Sequence, residues 1–178
     1  MADALGEKTR RWKVCLHEAG HAVAGKVLFK HSTKAIVFDD DCGAAYCDYD
    51  GTRPRSFEGA LTTAAGDAAH ALADLHSQPQ VPPAPAMVVA YPEEATPLRA
   101  QLLKECVPDA VALARWCIGG IETQPDRWAN RLHWIRREAR LFVARHQQEI
   151  VQVATGLFAQ GIVTVPAEPA KEEGMEPC

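Results

Sequence analysis

A predominantly α-helical domain with a small β element is predicted by three observations. Apolar residues recur at helical spacing along most of the chain, and the β-prone runs are short and confined to residues 34–38 and 44–49. Helix punctuation falls where the periodic blocks change: Pro97, Pro108 and Pro125 as starts, Gly119-Gly120 and Gly161 as stops.

The first helical block runs from about Thr9 to Phe29. Val14, Cys15, Leu16, Ala19, Ala22, Val23, Val27 and Leu28 leave few polar positions after Lys13, so this is a buried helix near the centre of the domain. Gly20 and Gly25 weaken it intrinsically and are expected to admit a neighbouring backbone. The two β-prone runs flank Asp39-Asp40-Asp41-Cys42-Gly43 and read as a hairpin, with the three aspartates as a solvated turn. From Ser56 to His76, Phe57, Leu61, Ala64, Ala68, Leu72 and Leu75 give a second helix.

Residues 77–97 hold half of the 12 prolines and form an internal loop, in which residues 87–91 suggest a short strand. Thr96-Pro97 opens a helix that Pro108 cuts, and residues 109–118 form the next one. Pro125 starts a long helix with Trp128, Leu132, Ile135, Ala139 and Phe142 as its apolar seam. Its arginines (127, 131, 136, 137, 140, 145) lie mostly off that seam, as a solvated face. Ile150, Val153, Leu157 and Phe158 mark a last helix over about 147–160, and residues 166–178 read as a flexible tail. Residues 1–165 therefore make one domain.

Composition bounds the function. The 178 residues are 47% hydrophobic and 24% charged, an ordinary soluble globular mix. A net charge of -4, from 19 Lys+Arg against 23 Asp+Glu, argues against a chain built to hold nucleic acid or an anionic membrane. No apolar run nears the ~20 residues of a membrane span. Met1 to Lys13 lacks the apolar stretch of a signal peptide, so a cytoplasmic location is expected, with the six cysteines reduced. Cys42 and Cys47 offer at most half of a zinc site, because no second pair stands at ligand spacing.

The chemistry is carried by His17-Glu18-Ala19-Gly20-His21, an H-E-x-x-H motif inside the buried helix. Four residues apart, the two imidazoles sit on one face, about 6 Å apart along the axis, where both reach a single zinc ion. Zinc lowers the pKa of its water from ~16 toward ~7, and Glu18 is placed to accept that water's proton and deliver it to a leaving amine. Two histidines and a glutamate in a buried helix would be costly without such partners. The third ligand is open at this point. Ala24 and Val27 stand where a metzincin needs Gly and His, and Glu58, Glu105 and Glu122 are all available to a zincin with a glutamate ligand.

The run from His17 to Gly25, the hairpin, and a helix ending Ala65-Gly66-Asp67-Ala68-Ala69-His70 together resemble the protease domain of FtsH-type zinc proteases, over residues 10–165. That resemblance implies a zincin-type helical fold and an aspartate ligand from the start of a later helix. The matching residue is Asp109. It implies His17, His21 and Asp109 as zinc ligands, Glu18 as general base, and a zinc metalloendopeptidase.

The chain departs from the family in two ways. Asp67 and His70 replace the usual residues of Gly-Gly-Arg and the glutamate pair, and no G-x-x-x-x-G-K-[ST] loop of an ATPase is present. The expected activity is thus ATP-independent hydrolysis of flexible or unfolded protein segments, with a separate unfoldase or a homo-oligomer as possible partner. The alternative is a non-catalytic zincin-like module serving binding or regulation. His70 and His76 read as helix-surface residues, with His70 a candidate for the site edge. Cys106, three residues before Asp109, is a minor candidate thiolate ligand.

Overall fold

The computed structural model describes residues 2–38, 43–47, 56–82, 109–119 and 124–167. They form five α-helices, one 3₁₀ helix and a three-stranded antiparallel sheet. Helix α1 (Ala2–Phe29) starts earlier than the periodicity indicates. Its first turns are rich in good helix formers (Ala2, Ala4, Leu5, Glu7, Lys8) but lack the apolar stripe that marks the rest of the helix. Lys30, in a left-handed conformation with φ 59°, ends the helix and donates its N–H to the Lys26 carbonyl at 3.0 Å.

Strand β1 (Thr33–Val37) pairs with β2 (Gly43–Cys47), from Thr33↔Cys47 to Val37↔Gly43, as the expected hairpin. Helix α2 (Phe57–Ala69) begins at Ser56, whose Oγ accepts the Gly59 N–H at 3.2 Å. It does not run on to His76: residues 70–74 tighten into a 3₁₀ helix that buries Leu72 and leaves Leu75 exposed. Helix α3 (Asp109–Ile118), helix α4 (Pro125–Arg145) and helix α5 (Gln147–Gln160) follow the proline and glycine punctuation. Gly161, at φ 77°, closes α5.

Beyond Gly161 the sequence pattern predicts no element, but Ile162–Val165 forms β3, which pairs antiparallel with β1 and makes β1 the central strand. The Gly161 carbonyl also accepts the Val37 N–H at 2.9 Å, so the helix stop and the strand junction are one structure. The expected strand at 87–91, the helix from Thr96, the Asp39–Asp41 turn and the tail beyond residue 167 lie outside the described residues.

The core forms around α1. Cys15, Leu16, Ala19 and Val23 are fully buried against α2, α5 and the sheet. Gly20 sits so close to α2 that a β-carbon there would overlap the Ala65 carbonyl and the Ala69 methyl, which fulfils the close approach expected of it. In α4, Ile135, Ala139 and Phe142 are buried, Trp128 and Leu132 partly so. Arginines 127, 136, 137, 140 and 145 are exposed, as expected. Arg131 is the exception. Its guanidinium donates to the carbonyls of Gly119 at 3.0 Å and Cys117 at 3.3 Å, capping the end of α3, and lies 5.8 Å above the Trp116 ring. Among the described residues, no helix is long and apolar enough to cross a membrane.

Candidate metal centre

Helix α1 carries His17, Glu18 and His21 into the junction between α2, the hairpin and the start of α3. The i, i+4 spacing stacks the two imidazoles edge to face, with ring centroids 4.6 Å apart at 85°. Asp109, in the first turn of α3, closes the triangle. Its Oδ2 lies 3.0 Å from His17 Nε2 and 2.9 Å from His21 Nε2, and the two Nε2 atoms are 2.9 Å apart. The three side chains are 12–23% exposed, open enough for solvent to reach.

Lone pairs converging at this range repel unless a proton or a cation stands between them. Burial alone would lower the pKa of His21, but the hydrogen bond and charge of Asp109, the charge of Glu18 and the Thr62 carbonyl outweigh it and raise the value to about 9. Burial alone would raise that of Asp109, yet the hydrogen bonds and charges of the two histidines hold it well below the usual carboxylate range.

The donor set of two imidazoles and one carboxylate suits zinc. A tetrahedral ion about 2.0–2.1 Å from each atom separates them by ~3.3 Å, so the triangle need open only slightly to take it. His21 is already oriented toward such an ion, because its Nδ1 donates to the Thr62 carbonyl at 2.8 Å and this turns the Nε2 lone pair inward.

Glu18 is buried beside the triangle, and its charge is among those that raise the His21 pKa. Two glycines shape the space. A β-carbon on Gly43 of β2 would overlap the Glu18 side chain, and one on Gly66 of α2 would overlap the His21 ring.

The four residues singled out from the motif and the resemblance are thus brought together. Glu58 is not among them: at the start of α2 its carboxylate is engaged by its own backbone N–H and the Ser56 side chain, which lower its pKa. Glu105, Glu122, Cys106, Cys42 and the Cys47 side chain lie outside what is described. His76 pairs with Gln147, away from the centre. His70 is at the site edge, its ring 4.7 Å from that of His17. Partial burial and the nearby His17, Lys13 and His21 lower its pKa against the opposing pull of Asp67.

Sequence reasoning missed Thr62 and Asp67. Asp67 Oδ1 lies 3.8 Å from His17 Nδ1. The available signal was its place on α2 one turn before His70, where the chain departs from the family pattern. No protein-family profile, curated protein or solved structure matches this chain.

Proposed function

We propose that the chain is a zinc-dependent, ATP-independent metallopeptidase of the zincin type, similar to the FtsH protease core, that hydrolyses peptide bonds in flexible segments. The observation that carries this reading is the convergence of His17 Nε2, His21 Nε2 and Asp109 Oδ2 within 3.0 Å, from residues 88 and 92 positions apart in sequence, next to a buried glutamate. His17, His21 and Asp109 would hold the ion. When bound, zinc supplies Lewis acidity and a water that is acidic at neutral pH. The Glu18 carboxylate accepts the attacking water's proton and hands it to the leaving amide nitrogen.

Among the described residues strand β2 stands at the sheet edge, and its Gly43 touches Glu18. An extended substrate segment adding to that edge would run beside the base. A folded protein cannot offer such a segment, which supports flexible chains as the substrate class.

The second reading, a non-catalytic zinc-binding module, is favoured by one observation: α2 and the turn after it bring an aspartate and a histidine, Asp67 and His70, to the zinc helix. One experiment separates the two. Zinc content and cleavage of an unstructured peptide are measured for wild type and Glu18→Gln. The peptidase reading expects equal zinc and a loss of ~10²–10⁴-fold in hydrolysis. Bound zinc with no cleavage by either protein would favour the module.

A further inference from the structure

The two histidines differ at their outer nitrogens. His21 Nδ1 has its acceptor, the Thr62 carbonyl at 2.8 Å. His17 Nδ1 is buried and, among the described residues, has no hydrogen-bond partner. Yet a neutral imidazole that gives its Nε2 lone pair to a metal must carry its proton on Nδ1. A buried N–H without an acceptor is costly, and a ring with nothing behind it is free to turn.

Among the described residues, the nearest charged acceptor is Asp67, whose Oδ1 lies 3.8 Å away, on a side chain 60% exposed and so free to adjust. The gap to a hydrogen bond of ~2.9 Å is within the reach of a small side-chain rotation. Thr62 and Asp67 both belong to α2, so one helix faces the outer nitrogens of both histidines. His70 is the competing neighbour. Its ring is tilted at 40° to that of His17, with centroids 4.7 Å apart, and it makes no hydrogen bond to His17 Nδ1.

We infer that Asp67 is a positioning residue of the metal centre: its carboxylate accepts the Nδ1 proton of His17, fixing that ring's tautomer and direction and raising its basicity toward the ion. This rests on the metal-centre reading above. Asp67 touches neither the ion nor the substrate and acts through His17. The Asp67–His17 pair is therefore the side-chain counterpart of the Thr62–His21 pair.

The test uses the full chain stripped of metal, with zinc affinity read by competition against a chromophoric chelator. Outer acceptors of ligating histidines are worth about 10–100-fold in metal affinity, so Asp67→Ala is expected to weaken zinc binding by that factor. Asp67→Glu should restore most of it, and His70→Gln should stay within about threefold of wild type. Alanine is the better helix former at an exposed position, so the thermal stability of metal-free Asp67→Ala should be unchanged or higher, which a structural role would not give. In the zinc-loaded wild type, long-range ¹H–¹⁵N spectra should show His17 protonated at Nδ1 and protected from exchange, with that protection lost in Asp67→Ala. Equal zinc affinity for wild type and Asp67→Ala overturns the inference and leaves the metal centre standing, as does a loss that follows His70→Gln instead. Absence of zinc binding by wild type overturns the metal centre itself, and this inference with it.

Discussion

Gly43 of strand β2 lies directly against the Glu18 carboxylate, with no room for a side chain between them. Gly43→Ala would force the glutamate away from its place beside the histidines. Hydrolysis of an unstructured peptide should fall at least tenfold while zinc content stays at the wild-type level, because no ligand moves. Overpacking of this kind also costs about 1–3 kcal/mol of stability. Unchanged turnover would mean that Glu18 is not the base.

Gly66 gives the complementary result. A methyl group there would overlap the His21 ring, so Gly66→Ala displaces His21 and not Glu18. Zinc affinity should drop on the order of 10–100-fold, the scale seen when a ligating histidine loses its support. Metal analysis after dialysis against a weak chelator distinguishes the two glycine variants directly.

The third ligand is tested by Asp109→Ala, which should empty the site, against Glu58→Ala, which should leave about one zinc per chain. Glu58 is occupied at the start of α2. Chelation should lower the wild-type melting temperature and leave that of Asp109→Ala unmoved. A zinc-replete Asp109→Ala protein would point to another carboxylate.

Metal-free protein should show a specific pH dependence. The His21 pKa rises from 6.5 to about 9 on folding. A raised folded-state pKa contributes stability that is fully present below pH 6.5 and is lost as pH climbs through about 9. The contribution is on the order of 3 kcal/mol at its fullest, shared with Asp109 as one interaction. Urea titrations in chelator at pH 6 and pH 9.5 should differ accordingly, and Asp109→Asn should abolish most of the difference. Zinc must displace the same proton, so its affinity should rise over the same window.

Arg131 holds the far end of the helix that presents Asp109. Arg131→Lys keeps the charge but loses the planar guanidinium that lies over the Trp116 ring and aims its Nη1 at both carbonyls. A loss of about 0.5–1.5 kcal/mol is expected in denaturant unfolding, with zinc stoichiometry unchanged.

The helices were legible because their signals are local. Ser56 caps α2, Pro125 opens α4, Gly161 closes α5, and α1 shows its burial in its own run of apolar residues. The histidine pair was legible for the same reason, since four residues on a helix define a direction. Asp109 needed more than spacing: three glutamates were equally available, and only the resemblance singled it out. Strand β3 escaped because four residues carry little periodicity and their partner is β1, remote in sequence. Thr62 contributes through its backbone carbonyl, which every residue possesses, so no residue type could have announced it.

The order of strands in the sheet has a consequence for how the chain is made. The central strand, β1, is synthesised well before its second neighbour, β3, which is the last regular element among the described residues to leave the ribosome. Until Ile162–Val165 emerges, one edge of β1 and the Val37 N–H next to it have no partner among the described residues. A nascent chain stalled before Gly161 thus carries an open, largely apolar strand edge of the kind that recruits other chains. The sheet, and with it the wall behind Glu18, is completed only once Val165 is out, so the nascent chain cannot bring Glu18, His17, His21 and Asp109 together on a finished scaffold before then.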